Sequence, residues 1–151
     1  MTGASGNGYT VLVVDDDPEL LQLLTDGLEL LGNFTVVQAT NGAEGLERFF
    51  AVRPDCMVID VKMSGLDGYQ LVRALRGDPD SASTPLIMLT ALAQEKNQFA
   101  GLALGADQYL IKPVAPRELV AAVQQAVSIS EQERSQRLQS LLDETNEADA
   151  E

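Results

Sequence analysis

The chain has 151 residues, of which 45% are hydrophobic, enough for one domain of ordinary size with an apolar core. Its 23 acidic residues outnumber its 10 basic residues, and the resulting formal charge of −13 argues against direct binding to nucleic acid or to an anionic membrane surface. The single cysteine, Cys56, excludes a disulfide within the chain. Because neither a long apolar span nor a signal sequence is recognisable, we expect a soluble, cytoplasmic protein.

Short aliphatic runs alternate with longer stretches in which apolar residues recur every three to four positions. The order is strand then helix, repeated five times. The strands are expected at Thr10 to Val14, Thr35 to Ala39, Cys56 to Ile59, Leu86 to Leu89 and Gln108 to Ile111. Each run is short and apolar, as in a parallel sheet that helices cover on both faces. The pattern therefore predicts an α/β sandwich.

The helices are expected between these strands, and the first has the best-marked start. Asp17 can cap it, and Pro18 suits the first helical position. The third helix is expected to follow Asp67, which we interpret as its N-cap, and to turn Tyr69 inward with its aliphatic residues. The expected helices are Pro18 to Leu31, Ala43 to Val52, Gly68 to Arg76, Gln94 to Leu104, and one that starts after Pro116.

The predicted domain occupies residues 9–127, between two segments of different character. Residues 1–8 are small and polar, and we expect them to be flexible. Residues 128–151 form an acidic tail with few apolar positions, too short for an effector domain. Capping-box spacing and three leucines predict a short helix from about Glu131 to Leu142, with disorder beyond it. We interpret the tail as a solvated appendage or an extension of the fifth helix in preference to a dedicated partner-binding helix.

Polar side chains stand where the predicted strands end, and these ends share one rim of a parallel sheet, where such folds bind ligands. Two adjacent carboxylates repel each other unless a cation or a proton intervenes, and Mg²⁺ prefers carboxylate and carbonyl oxygens. An aspartate can also attack phosphorus, and a lysine can pair with a phosphoryl oxygen. Any one polar residue at a strand end could simply cap a helix or be a charged residue of a loop. The combination that predicts a cation and phosphoryl site is Asp15, Asp16, Asp60, Thr90 and Lys112.

In their order and spacing these residues resemble the receiver domain of two-component response regulators, over about residues 9–127. The motifs that carry the resemblance are Val13 to Asp17, Asp60 with Met63 and Asp67-Gly68, Thr90-Ala91, and Gly105 to Pro113. The resemblance implies the flavodoxin-like (βα)5 fold of the single-domain chemotaxis regulators. Its five-stranded parallel sheet has the order 2-1-3-4-5, with helices on both faces.

The resemblance also implies roles at the site. Asp60 would be the phosphoacceptor, taking a phosphoryl group from a phosphohistidine of a sensor histidine kinase or a histidine phosphotransfer protein. Mg²⁺ would be the cofactor, held by Asp15, Asp16, Asp60 and the backbone carbonyl of Lys62. Lys112 would contact the phosphoryl group. The protein would catalyse its own phosphoryl transfer without being a metabolic enzyme.

Thr90 and Tyr109 would form the switch. The Thr90 hydroxyl would move toward the phosphoryl group, and Tyr109 would then turn from exposed toward buried, changing the surface of the fourth helix and the fifth strand. That surface would bind a downstream protein target. Tyr109 is interpreted equally well as a half-buried aromatic residue of a strand that has no switch role. A dimer could form through the face of the fourth helix, fifth strand and fifth helix, but nothing in the sequence requires one.

Some positions depart from the usual receiver pattern. Ser64 stands where many receivers have proline, which implies a less rigid loop after Asp60. Lys62 and Leu92 would flank the phosphoryl group, and neither has a group suited to positioning an attacking water. We therefore predict slow self-dephosphorylation. The Lys112-Pro113 peptide would be cis by resemblance, although sequence alone permits trans.

Other function classes fit less well. A nucleotide-binding protein of this fold would have a glycine-rich loop after the first strand instead of three aspartates. An aspartyl-phosphate phosphohydrolase would have a second acid two positions beyond its nucleophile, where this chain has Lys62. The alternative that stays open is a protein-interaction scaffold with the receiver fold that phosphorylation does not control.

Overall fold

The computed structural model describes residues 7–63, 65–91 and 105–150. Within them, five parallel strands form one sheet in the order β2-β1-β3-β4-β5, which confirms the predicted fold. Two strands are one residue longer than expected, so Asp60 and Thr90 are the last residues of their strands. The strands are β1 (Thr10–Val14), β2 (Thr35–Ala39), β3 (Cys56–Asp60), β4 (Leu86–Thr90) and β5 (Gln108–Ile111).

Helices cover both faces of the sheet. On one face, α1 and the C-terminal helix enclose an apolar cluster, and on the other face α2 and α3 enclose a second one. Strands β3 and β4 are buried along their whole length. The predicted helix at Gln94 to Leu104 lies outside the described residues. The described helices are α1 (Pro18–Gly32), α2 (Gly42–Val52), α3 (Gly68–Gly77) and the C-terminal helix (Pro116–Ala150).

Two of the aspartates near the rim cap helices, as predicted. The Asp17 side chain accepts a hydrogen bond from the Glu19 N–H at 3.0 Å, and Pro18 is the first residue of α1. At the start of α3, the Asp67 side chain accepts from the Gln70 N–H at 2.9 Å, while the Gln70 side chain accepts from the Asp67 N–H. These two carboxylates are thus engaged by backbone donors that would otherwise lack partners.

The C-terminal helix is continuous from Pro116 to Ala150, so the expectation of disorder beyond Leu142 is wrong. The helix continues because no glycine or proline interrupts the sequence after Pro116, and most residues there favour helix. Val127 is the last buried apolar residue among the side chains of this helix that the structure describes, and those of Leu138 and Leu141 further along are 58% and 56% exposed. Among the described residues, no helix combines the length and apolar character needed to cross a bilayer.

The predicted flexible segment, residues 1–8, lies mostly outside the described residues. Where it enters them, Asn7 is tied to the end of α1: its N–H donates to the Asn33 carbonyl at 2.8 Å, and its side-chain amide donates to the Gly32 carbonyl at 2.7 Å. Asn33 itself has a φ of 58°, the left-handed conformation that ends α1. The described part of the segment therefore stabilises a helix end.

Candidate functional site

The carboxyl-terminal ends of the strands bring the predicted site residues together. The parallel register pairs Val14 with Ile59 and Thr90 with Ile111, so the residues at these strand ends lie side by side. Backbone hydrogen bonds continue just past the strands, because the Lys112 N–H donates to the Thr90 carbonyl. The rim is thereby held by the same ladder that holds the sheet.

Three carboxylates meet at this rim. One oxygen from each of Asp15, Asp16 and Asp60 lies within 4.8 Å of the others. Asp15 and Asp60 are buried, at 0% and 4% exposure, whereas Asp16 is open to solvent. The group is therefore accessible from one side only.

Asp15 is the most deeply buried of the three. Its Oδ1 accepts a hydrogen bond from the Asp17 N–H at 2.9 Å, while its Oδ2 is buried without a hydrogen-bond partner among the described residues. Burial is the main reason why the pKa of Asp15 rises from 3.8 to about 6, and the charge of Asp60 raises it further. A proton or a cation is thus favoured at this carboxylate.

Lys112 supplies the positive charge of the site. Its Nζ lies 3.0 Å from Asp60 Oδ1 and 3.8 Å from Asp15 Oδ2, and its side chain is mostly buried. The Lys112-Pro113 peptide is cis, as the resemblance implied. Asp60 Oδ1 also accepts a hydrogen bond from the Lys62 N–H at 3.3 Å. One oxygen of Asp60 is therefore held in place by two donors.

The donor set fits a hard divalent cation. Three carboxylates face one ammonium group, which leaves two negative charges uncompensated within the cluster. Asp15 Oδ2 is buried and accepts no hydrogen bond, and the Lys112 ammonium group is 3.8 Å away, so a bound cation would stabilise this atom. Carboxylate oxygens with solvent on one side are the environment in which Mg²⁺ binds while it keeps several waters. These residues could bind such a metal.

A cavity of about 580 Å³ opens beside the cluster. Thr90, which is buried at 2% exposure, forms part of its wall together with Asp16. The cavity reaches Asp16 and Val61, which follow Asp15 and Asp60 in the chain, so it adjoins the carboxylates. Its lining residues are Asp16, Val61, Lys62, Met63, Asp67, Tyr69 and Thr90.

Comparison with known proteins decides the family. The model of the response regulator receiver domain matches residues 11–124, which is most of the chain. This chain belongs to the response regulator receiver family. The match covers β2 to β5 completely and β1 from Val11 onward, and it includes Asp15, Asp16, Asp60 and Lys112.

Relatives and solved structures agree with this assignment. The receiver is 45% identical over 113 residues to the transcriptional regulatory protein PrrA of Mycobacterium leprae. The aligned residues make up 75% of this chain and 47% of PrrA. It is 37% identical over 114 residues to the phosphate regulon transcriptional regulatory protein PhoB of Pseudomonas aeruginosa. That alignment includes 76% of this chain and 49% of PhoB. The chain thus spans about half the length of the curated relatives that it matches. The solved receiver domain of the Francisella response regulator 1452 has a TM-score of 0.76 and 34% identity, covering 82% of this chain and 99% of that domain.

Tyr109, expected from the sequence as a switch residue, lies on the α2 and α3 side of the receiver. Its ring is half-buried against the apolar cluster of that face, and its hydroxyl is hydrogen-bonded to the Tyr69 hydroxyl. Burial and this bond raise the pKa of Tyr109 above its usual value. Tyr69 was expected only as an apolar residue of α3. No sequence signal indicates the pair, because 40 positions separate the two residues.

Proposed function

We propose that this receiver is a phosphorylation-dependent switch of a two-component phosphorelay, with Asp60 as the phosphoacceptor. The observation that carries the proposal is the environment of the Asp60 carboxylate. It is nearly buried, it lies 3.0 Å from the Lys112 ammonium group, and it borders two further carboxylates at the mouth of a cavity. The donor would be a phosphohistidine of a sensor histidine kinase or of a histidine phosphotransfer protein.

Asp15, Asp16 and Asp60, with the backbone carbonyl of Lys62, would hold Mg²⁺. When bound, Mg²⁺ supplies positive charge that offsets the charge on a transferring phosphoryl group. The residues of the chain would do the rest. The hydrogen bond from Lys62 and the ion pair with Lys112 both hold Oδ1 of Asp60, so Oδ2 would be the oxygen that attacks.

In the proposed reaction a carboxylate oxygen of Asp60 attacks the phosphorus in line with the leaving imidazole. A P–O bond forms, the P–N bond breaks, and the imidazole nitrogen retains the electron pair, so that Asp60 becomes an acyl phosphate. The Lys112 ammonium group stabilises the negative charge of the phosphoryl oxygens. The Thr90 hydroxyl would donate to one of them, and Tyr109 would change position in response.

Acetyl phosphate offers a direct test of Asp60. With Mg²⁺ present, the intact protein is expected to gain the mass of one phosphoryl group, and Asp60→Asn is expected to gain none. Asp55→Asn is the matched control, because Asp55 lies at the opposite end of the sheet and accepts a hydrogen bond from the Thr10 N–H at 2.8 Å. This control should be phosphorylated like the wild type. If the wild type gains no mass, the scaffold function independent of phosphorylation is favoured instead.

The phosphoryl group on Asp60 is expected to be long-lived. Lys62 is exposed beside the cavity and has no carboxylate or amide that could orient a water for attack. Leu92, the second residue expected to flank the phosphoryl group, lies outside the described residues. Self-dephosphorylation would then be slow, and a half-life of seconds in the isolated protein would contradict this.

The output would pass through a protein surface. We propose that phosphorylation changes the surface around β5 and thereby the affinity for a downstream target, or that the phosphoryl group moves on to a histidine phosphotransfer domain. The formal charge of −13 disfavours direct contact with nucleic acid by this chain. A pull-down that compares phosphorylated protein with Asp60→Asn would identify the partner, and a sedimentation measurement on the same samples would test for a dimer.

A further inference from the structure

Tyr69 and Tyr109 connect two elements that are distant in sequence. Tyr69 lies in the first turn of α3, Tyr109 lies in β5, and their hydroxyl groups are hydrogen-bonded to each other. Both rings are half-buried against the apolar cluster on the α2 and α3 side of the sheet. The bond therefore joins the start of α3 to the edge strand that carries the proposed switch residue.

The start of α3 is in turn fixed to Asp60. The Gly68 N–H donates to the Val61 carbonyl at 3.1 Å. A Cβ atom at position 68 would lie 2.4 Å from the Asp60 carbonyl oxygen, so only glycine permits this close approach of the two backbones. Tyr69 follows directly and borders the same cavity as Thr90. A continuous series of contacts thus runs from Asp60 through Gly68 and Tyr69 to Tyr109.

We propose that Tyr69 is a positioning residue that holds Tyr109 in its half-buried position and couples Asp60 to β5 through α3. This inference rests on the proposed function, because it assumes that Asp60 accepts the phosphoryl group. The hydroxyl bond keeps Tyr109 half-buried, and the proposed switch turns this residue toward buried when Asp60 is phosphorylated, so the bond favours the phosphorylated conformation. By thermodynamic linkage, removing the bond shifts the equilibrium away from that conformation and weakens the binding of a phosphoryl analogue.

Tyr69→Phe removes the hydroxyl and keeps the ring, and beryllofluoride with Mg²⁺ serves as the phosphoryl analogue. Its binding is read from the fluorine NMR signals of the bound fluorides, and Tyr109 is read separately in protein labelled with 3-fluorotyrosine. The Tyr109 signal is expected to shift in Tyr69→Phe before any analogue is added. The beryllofluoride concentration at half-saturation should rise about fivefold, the ratio that corresponds to one neutral hydrogen bond of ordinary strength.

Two further variants separate positioning from a general packing effect. Tyr9→Phe makes the same chemical change on the α1 side of the sheet, where Tyr9 packs against the other apolar cluster. It should leave the beryllofluoride concentration at half-saturation unchanged. In a Tyr109→Phe background, Tyr69→Phe should have no additional effect, because the partner hydroxyl is already absent. An equal weakening in that background, or tighter binding by Tyr69→Phe alone, would overturn the inference.

The remaining outcomes distinguish this inference from the proposed function. If the wild type does not bind beryllofluoride, the proposed function fails and the coupling fails with it. The wild type could bind beryllofluoride while Tyr69→Phe changes neither the fluorine NMR signal of Tyr109 nor the beryllofluoride concentration at half-saturation. In that case only the role of Tyr69 is overturned. Melting followed by circular dichroism confirms that each variant is folded before either comparison is made.

Discussion

Asp15 determines much of the pH dependence expected of the metal-free receiver. Burial raises its pKa from 3.8 to about 6, so between these values the folded protein holds a proton that the unfolded chain releases. The free energy of unfolding therefore falls as pH rises through this window, by an amount on the order of 3 kcal/mol for such a shift. Asp15→Asn removes the charge. It should stabilise the metal-free protein at pH 7.5 and have a much smaller effect at pH 4.

Urea unfolding in the presence of EDTA, at pH 4 and at pH 7.5, measures this difference. Asp26→Asn is the matched control, because Asp26 is exposed on α1 and only accepts a hydrogen bond from the Gln22 side chain. Mg²⁺ should then stabilise the wild type at pH 7.5 and stabilise Asp15→Asn much less, since it binds the charged form. A difference between Asp15→Asn and the wild type that is the same at both pH values would contradict the prediction.

The rim residues were predictable because each one stands at a strand end. Parallel strands place such residues together whatever the details of packing, so Asp15, Asp60 and Lys112 could be grouped from sequence. The Tyr69 to Tyr109 bond was not predictable, because both residues read as apolar-face aromatics and the approach of their hydroxyls depends on how α3 lies against β5. A periodicity identifies which face a residue occupies, and it does not specify which atoms meet across 40 positions of chain.

Between elements, Arg76 at the end of α3 joins three segments that the sequence alone does not bring together. Its guanidinium donates to the carbonyls of Ala82 at 2.9 Å, Thr84 at 2.7 Å and Gly105 at 2.9 Å, and it pairs with Asp107 at 2.9 Å. Arg76→Met keeps much of the side-chain volume and removes every donor. Because several acceptors then lose their partner, we expect a loss of about 2–4 kcal/mol in the free energy of unfolding.

Arg48→Met is the control for this change. Arg48 pairs with Glu44 at 3.5 Å on the exposed side of α2, and such surface pairs contribute about 0.3–0.5 kcal/mol. Urea unfolding of the two variants under the same conditions should therefore give clearly different midpoints. Equal losses would show that Arg76 acts as an ordinary surface charge.

Element boundaries followed from capping and turn residues where these were present. Asp17, Pro18 and Asp67 predicted the starts of α1 and α3 correctly. The end of the C-terminal helix had no such signal, and the change to an acidic, polar composition was interpreted as disorder. Composition reports how much apolar surface a segment can bury, whereas a helix without glycine or proline can continue past the point where burial ends.

At the scale of the whole molecule, the part of the C-terminal helix beyond Ser130 should be dispensable for the stability of the receiver. Residues 131–150 would extend the helix by about 30 Å. Their described leucines, Leu138, Leu141 and Leu142, are all more than half exposed. A chain that ends at Ser130 should keep its free energy of unfolding within about 0.5 kcal/mol and react with acetyl phosphate like the full chain. Circular dichroism should show reduced helix content.

Leu119→Ala provides the contrast within the same helix. Leu119 is fully buried against the sheet, so its truncation to alanine should cost about 2–5 kcal/mol in urea unfolding. The comparison separates the helix into a part that packs on the domain and a part that does not. If the chain that ends at Ser130 instead lost several kcal/mol, and sedimentation showed that the full-length protein is larger than a monomer, the exposed leucines would be covered by a second copy, and the receiver would derive part of its stability from association.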